Sequence, residues 1–128
     1  MVQSVPIICV VDDDDGIRES LDNFLRAVGM EVRTFPSAED FIAYRGDAGC
    51  LITDLTLPGM DGLSLQAELL RQGRDHPVIM MTAFATPAIR SRSLALGACA
   101  FVTKPLDPAS LLALIEDALK TRQRDCDA

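Results

Sequence analysis

Four separate points along the chain place a chemically useful side chain at the end of a short apolar run or directly after it. The residues at these points are Asp12, Asp13, Asp54, Thr82 and Lys104. In a doubly wound sheet the parallel strands present their carboxyl ends at one edge, where the functional crevice lies. If the apolar runs are such strands, the chain brings carboxylates, a hydroxyl and an ammonium group together at that edge.

The carboxylates of Asp12, Asp13 and Asp54 would repel one another if they converged. Like charges about 4 Å apart repel by roughly 4 kcal/mol at an effective dielectric constant of 20, so a cation is expected among them. Oxygen ligands that leave room for water and a phosphate favour Mg²⁺ over a transition metal. Bound Mg²⁺ would offset the charge of an incoming phosphoryl group while a carboxylate attacks it in line. Lys104 and the Thr82 hydroxyl could each donate to a phosphate oxygen.

Each of these residues also has a purely structural interpretation. Asp54 alone would be a cap or turn residue, Lys104 a solvated charge, and Thr82 an ordinary strand residue. The neighbouring Asp14 and Asp15 are best explained as the start of a helix, where carboxylates favour the positive end of the helix dipole. Coincidence is a poor explanation for complementary groups at four strand ends.

The segments that would position these residues alternate between strand-like and helix-like along the chain. This pattern predicts an α/β fold, with helices on both faces of a parallel sheet. The predicted strands are Ile7–Val11, Glu31–Phe35, Cys50–Thr53, Val78–Thr82 and Cys99–Val102. Four are mostly apolar, which is typical of strands buried on both faces. Glu31–Phe35 alternates polar and apolar residues and should lie at an edge.

Apolar spacing and capping side chains predict five helices. They are expected from Ile17 to Val28, after Ser37, from about Leu63 to Gln72, from about Pro87 to Leu96, and from Pro108 to about Leu119. Ser37, Thr86 and Asp107 are the expected caps, and Gly29 and Gly73 stand where a left-handed residue would end a helix. The fourth helix has a weak apolar stripe.

The composition favours one globular domain without nucleic-acid or membrane partners. A formal charge of −7 in 128 residues argues against binding phosphate backbones. No apolar run approaches the roughly 18 residues of a membrane helix, and no secretory signal is recognised, so a cytoplasmic location is expected. Cys9, Cys50 and Cys99 are expected to be buried, whereas Cys126 falls in a polar tail and is expected to be exposed.

Four ordered motifs resemble the receiver domain of two-component response regulators, over about Pro6 to Leu119. The motifs are Val10–Asp14, Thr53–Gly62, Met81–Ala83 and Phe101–Pro105. The amino-acid sequences of these motifs are most similar to those of FixJ-type receivers. The resemblance implies a single receiver domain over 1–128, with a flavodoxin-like strand order 2-1-3-4-5 and five helices. Its core would span about 6–119, with 120–128 as a polar tail or linker stump.

The resemblance also implies a phosphorylation site at Asp54. That residue would accept a phosphoryl group from a kinase phosphohistidine. The implied Mg²⁺ ligands are Asp12 (mainly through water), Asp13, Asp54 and the Thr56 main-chain carbonyl, and Mn²⁺ could substitute for Mg²⁺. Lys104 would hold the phosphate, and the Lys104–Pro105 peptide would be cis.

Three further residues would act in switching and dephosphorylation. Thr82 would move toward the phosphate and let Phe101 turn inward, although a permanently packed aromatic explains Phe101 equally well. Thr56 and Phe84 would tune dephosphorylation, and the bulky Phe84 would prolong the life of the phosphoryl group by restricting water. The alternative for Phe84 is a side chain that simply covers the loop.

The implied partners are a histidine kinase or phosphotransfer protein, and an output domain or partner protein that contacts the fourth helix, fifth strand and fifth helix. A homodimer through the same surface is a further option. The chain would not be an enzyme with a separate substrate, since it would catalyse only its own phosphorylation and dephosphorylation. The polar tail fits either a stand-alone receiver or part of a longer regulator or hybrid kinase.

Three other functions compete with this interpretation. A Mg²⁺-dependent phosphohydrolase of the aspartyl-phosphate type would resemble Asp-x-Asp at the nucleophile, whereas Thr56 stands where the second carboxylate would be. A calcium-binding module would need spaced ligands that Gly16 and the apolar residues after it do not supply. An interaction scaffold that works without phosphorylation would not need the intact acceptor set.

Overall fold

Five parallel strands form one sheet in the order β2-β1-β3-β4-β5, with five helices packed around it. The computed structural model describes residues 5–127, the last seven by their backbone alone. The elements are β1 (Ile7–Val11), α1 (Asp15–Ala27), β2 (Glu31–Phe35), α2 (Ala38–Ala43), β3 (Cys50–Asp54), α3 (Gly62–Arg71), β4 (Val78–Thr82), α4 (Pro87–Ala95), β5 (Ala100–Thr103) and α5 (Pro108–Asp127). The predicted fold class, strand order and number of helices are confirmed.

One of the two edge strands of the sheet was correctly predicted from the sequence, and the other was not. β2 lies at one edge, as its alternating residues indicated. β5 lies at the other edge and is only half-buried, so its apolar composition wrongly predicted burial on both faces. It also begins at Ala100, one residue later than expected. Cys99 therefore precedes the strand and is exposed, which corrects its predicted burial, although its thiol donates to the Val78 carbonyl at 3.3 Å.

The other cysteine predictions have separate outcomes. Cys9 and Cys50 are fully buried within β1 and β3, as expected for small apolar side chains. Burial raises the pKa of the Cys9 thiol to about 12. The side chain of Cys126 lies outside the described residues.

Helix boundaries follow the local chemistry of the sequence. The Asp14 carboxylate accepts from the Ile17 N–H at 3.1 Å, so Asp14 caps α1 and Asp15 stands in its first turn. Ser37, Thr86 and Asp107 cap α2, α4 and α5 as predicted. Gly29 and Gly73 follow α1 and α3 with φ values of +91° and +71°, a conformation that glycine adopts readily.

The last helix is longer than the sequence indicated. α5 continues to Asp127, past Leu119, where lost periodicity predicted a polar tail or linker stump. Residues 120–127 include Lys, Arg and Gln, which favour helix without an apolar stripe. Within the described part of the chain, no helix combines the length and apolar character needed to cross a bilayer.

Two separate apolar cores lie on opposite faces of the sheet. One joins α1 and α5 to the sheet through Leu21, Leu25, Leu111, Ile115 and Ala118. The other joins α2 and α3 through Ala38, Phe41, Leu65 and Leu69. Alternate residues of the central strands serve the two cores, because side chains alternate across a strand. This arrangement fixes β1 and β3, and with them the carboxyl ends of these two strands.

The fourth helix is attached differently. No residue of α4 belongs to either apolar core in the described structure, and Ser93 is its one buried residue. The Ser93 hydroxyl donates to Gln66 Oε1 of α3 at 2.9 Å, and Gln66 Nε2 donates to the Ser93 carbonyl at 3.2 Å. Both residues are buried, so a polar pair links α4 to α3.

Candidate functional site

Three carboxylates converge where β1 and β3 end. Val11 pairs with Thr53 in the sheet, which brings the next residues, Asp12 and Asp54, to the same level. Carboxylate oxygens of Asp12, Asp13 and Asp54 lie within 4.8 Å of one another. Asp12 and Asp54 are buried whereas Asp13 is exposed, so the cluster opens toward solvent on one side. The three residues predicted to share a site are therefore together.

Lys104 bridges the two buried carboxylates. Its Nζ donates to Asp12 Oδ2 at 3.0 Å and to Asp54 Oδ2 at 2.9 Å. The Lys104 N–H donates to the Thr82 carbonyl at 2.8 Å, and the Lys104–Pro105 peptide is cis, as predicted. Although burial lowers the pKa of Lys104, the hydrogen bonds to Asp54 and Asp12 outweigh that effect and raise it. The ammonium therefore stays charged.

The buried carboxylate of Asp12 requires a positively charged partner to remain ionised. Burial raises the pKa of its carboxyl, while the Asp14 N–H at 2.9 Å and Lys104 act in the opposite direction. A buried carboxylate is stable only when it is paired or coordinated. The all-oxygen donor set of Asp12, Asp13 and Asp54 fits a hard divalent cation.

Thr82 lies at the end of β4, beside this cluster in the strand order, and is buried. Its hydroxyl oxygen accepts from the Phe84 N–H at 3.1 Å, which ties the start of the β4–α4 loop to the hydroxyl. Phe84 is 81% exposed. Phe101 is half-buried on β5, aligned with Met80, and belongs to neither apolar core.

The loop after β3 is held against the acidic cluster. The Thr56 N–H donates to Asp54 Oδ1 at 3.3 Å, so each Asp54 oxygen has one partner. Thr56 itself is exposed. Gly62 closes the loop, because its N–H donates to the Leu55 carbonyl at 2.8 Å. A Cβ at Gly62 would lie 2.6 Å from the Asp54 carbonyl oxygen, so only glycine fits here without a shift of the backbone.

Arg18 is a site neighbour that the sequence analysis missed. It lies in the first turn of α1 after the cap and donates from Nη1 to the Asp12 carbonyl at 2.6 Å. It also pairs with the Asp15 carboxylate. The spacing of Asp15 and Arg18 is an ordinary helical i,i+3 pair, so the bond to Asp12 leaves no pattern that could be recognised from sequence.

The fold and the site define a flavodoxin-like α/β domain with an acidic, lysine-containing crevice at the carboxyl ends of its strands. The family model for the response regulator receiver domain matches residues 8–116, and the chain belongs to this family of two-component systems. The family prediction made from the four motifs is confirmed.

Individual relatives agree with this assignment. The transcriptional regulatory protein FixJ of Azorhizobium caulinodans is 37% identical over 121 residues, covering 93% of this chain and 57% of FixJ. A CheY-like receiver domain protein from Methanospirillum hungatei is 29% identical with a TM-score of 0.90, covering 95% of this chain and 99% of that structure. The FixJ-N structure is 30% identical with a TM-score of 0.84, covering 92% and 96%. The chain spans just over half the length of the curated relatives it matches.

Proposed function

We propose that Asp54 accepts a phosphoryl group from a histidine kinase or a phosphotransfer protein, and that this event switches the surface formed by α4, β5 and α5. The observation that carries the proposal is the position of Asp54. It is a buried carboxylate that accepts a hydrogen bond from a lysine and lies beside two further carboxylates. This arrangement suits a nucleophile that receives an anionic group.

Mg²⁺ is the proposed cofactor, and Mn²⁺ can substitute for it. Asp13, Asp54 and the Thr56 main-chain carbonyl would hold the cation, and Asp12 would act on it mainly through water. When bound, the cation neutralises charge on the phosphoryl oxygens and orients the group for in-line transfer. The clustering of three carboxylates within 4.8 Å supports this assignment.

The transfer step uses Asp54 as the nucleophile. One carboxylate oxygen attacks the phosphorus of the phosphohistidine, the P–N bond breaks, and the imidazole nitrogen leaves with the bonding electron pair. Lys104 then donates to a phosphate oxygen. Its charge is already in place, because the raised pKa keeps the ammonium protonated.

The switch begins at Thr82. A phosphoryl group adds about −1.5 to −2 charge and strong acceptor oxygens beside the Thr82 hydroxyl. When Thr82 moves to donate to the phosphate, it gives up the 3.1 Å contact with the Phe84 N–H, and the β4–α4 loop is released. Phe101 turns inward from its half-buried position. The phosphorylated population therefore differs at α4 and β5.

Dephosphorylation is tuned by Thr56 and Phe84. Both are exposed at the rim of the site, on the loops after β3 and β4. Phe84 is bulky and apolar, and we propose that it slows the approach of the water that hydrolyses the acyl phosphate. Its exposed position requires the loop to fold over the phosphoryl group for this effect.

The proposed biological setting is a cytoplasmic receiver that controls an output domain or partner protein, with homodimerisation on phosphorylation as an option. The single receiver domain occupies 1–128. The chain acts as a switch and catalyses only its own phosphorylation and dephosphorylation. The net charge of −7 disfavours direct binding of this chain to nucleic acid or to an anionic membrane surface.

Intact mass after incubation with acetyl phosphate tests the proposal. We expect one Mg²⁺-dependent adduct of about 80 Da on the wild type and none on Asp54→Ala. Asp75→Ala is the matched control, because Asp75 is an exposed carboxylate that precedes β4. It therefore lies near the amino end of that strand, whereas the acidic cluster lies at the carboxyl ends of the strands. Its adduct should equal that of the wild type.

Two other results would redirect the assignment. Continuous release of inorganic phosphate from a small phosphate ester, with no lasting adduct, would indicate the aspartyl-phosphate phosphohydrolase. A folded wild type that gains no adduct would indicate a scaffold that works without phosphorylation.

A further inference from the structure

The turn that joins β1 to α1 is closed by one arginine. The side chain of Arg18 is 17% exposed and spans the acidic run from one end to the other. Its Nη1 donates to the Asp12 carbonyl at 2.6 Å, and its Nη2 pairs with the Asp15 carboxylate. Arg18 therefore contacts the first and the last of four consecutive aspartates.

The contact with Asp12 falls on the peptide group that presents Asp13. The Asp12 carbonyl belongs to the bond joining Asp12 to Asp13, so its direction sets where the Asp13 side chain points. From the sheet, the Asp12 N–H is fixed by the Phe35 carbonyl at 3.1 Å. From the helix, Arg18 fixes the carbonyl on the other side of the same residue. The exposed Asp13 carboxylate is thereby held within 4.8 Å of Asp54.

Arg18 has two opposite effects on a divalent cation in this cluster. Its positive charge lies beside the acidic run, and charge alone weakens cation binding. Its hydrogen bond orders the turn that carries Asp13, and order strengthens cation binding because fewer conformations are lost. Whether the cation affinity rises or falls when Arg18 is replaced therefore distinguishes the two effects.

We propose that Arg18 is a positioning residue for the divalent-cation site, acting through the Asp12–Asp13 peptide. The inference rests on the proposed function, since it concerns the same cation. If Arg18 contributed only to helix stability, replacing it would leave the cation affinity unchanged. If Arg18 acted only through its positive charge, replacing it with a neutral residue would raise the cation affinity.

Arg26 supplies a matched control on the same helix. It pairs with the Asp22 carboxylate and donates to the Val32 carbonyl at 3.1 Å, so it makes the same two kinds of contact as Arg18. It does so at the far end of α1, away from the acidic run. Arg26→Gln thus reproduces the loss of a helix ion pair and a bond to a main-chain carbonyl.

The test is the Mg²⁺ dissociation constant of the full chain, measured by calorimetry on folded protein without any phosphodonor. Arg18→Gln and Arg18→Lys should each weaken Mg²⁺ binding by about tenfold, the range for residues that orient metal ligands. Arg26→Gln should match the wild type. If Arg18→Gln fails to fold, Arg18→Lys carries the test, because it keeps the charge and loses the planar donor geometry.

A second readout is the Mg²⁺ dependence of phosphorylation by acetyl phosphate. The half-saturating Mg²⁺ concentration should rise in both Arg18 variants, while the rate at saturating Mg²⁺ stays near that of the wild type. Tighter or unchanged Mg²⁺ binding in Arg18→Gln would overturn the positioning role. A wild type that binds no Mg²⁺ would instead overturn the proposed function.

Discussion

The buried pair between Gln66 and Ser93 gives a prediction about how α4 is held. The two residues are 2% and 0% exposed and exchange two hydrogen bonds, at 2.9 and 3.2 Å. Since α4 places no residue in either apolar core, this pair should carry much of its attachment. Breaking the pair should loosen α4 before it loosens the sheet.

The magnitude follows from which atoms lose a partner. Ser93→Ala removes the donor to Gln66 Oε1 and leaves that oxygen buried, which costs about 1–3 kcal/mol of unfolding free energy. Gln66→Met removes the amide and leaves the Ser93 hydroxyl without its acceptor, with a similar cost. The double variant contains neither group, so it should be less destabilised than the two single changes predict together. The expected coupling is about 1–2 kcal/mol.

Urea unfolding followed by circular dichroism measures all three variants. Native-state hydrogen exchange then shows where the loss occurs, and the amides of α4 that follow Pro87 should exchange faster relative to those of β1 and β3. Gln72→Met is the control, because Gln72 is only half-buried where it donates to Glu68 and accepts from Arg74, so its loss should cost less than either single change in the buried pair.

Two results would contradict the proposed coupling between Gln66 and Ser93. If the double variant is destabilised by the sum of the single changes, the two side chains are not coupled. If exchange in α4 is unchanged while global stability falls, other contacts hold the helix.

Further predictions concern three single positions. Phe84→Asn should shorten the lifetime of the phosphoryl adduct severalfold in a mass-resolved decay, whereas a longer lifetime would contradict the shielding role. Gly62→Ala should lower the unfolding free energy by about 1–3 kcal/mol and slow labelling by acetyl phosphate, because the new methyl group meets the Asp54 carbonyl oxygen at 2.6 Å; unchanged urea midpoints would refute this. With a pKa of about 12, Cys9 should stay unlabelled by iodoacetamide at pH 8 until urea unfolds the chain. Because an unfolded thiol ionises near its ordinary pKa of 9.0, Cys9 should also make stability fall as pH rises from about 9 to 12, and Cys9→Val should flatten that fall in urea titrations; an equally steep fall would contradict it.

The elements and the acidic site were predictable because their signals are local. Asp14 and Thr86 cap helices through atoms three residues away, which the sequence displays directly. The positions of Asp12 and Asp54 followed from one topological rule about where parallel strands end. The ends of strands and the caps of helices therefore carried most of the information from which the elements and the site were predicted.

The remaining features depend on contacts that leave no local pattern. Gln66 and Ser93 are 27 residues apart, and each looks like an ordinary polar helix residue. The bond from Arg18 to the Asp12 carbonyl is hidden behind a conventional helical ion pair with Asp15. Cys99 was expected to be buried because its neighbours are apolar, yet the strand begins one residue later.

The separation of α4 from both apolar cores also bears on how such a domain can diversify. Substitutions on the exposed face of α4 leave the two apolar clusters that hold the sheet untouched. If α4 contacts a partner as proposed, such substitutions would be selected mainly by their effect on that contact. Proteins that descend from one ancestral domain could therefore acquire new partner proteins through substitutions in α4, while the acidic crevice and the strands beneath it stayed the same.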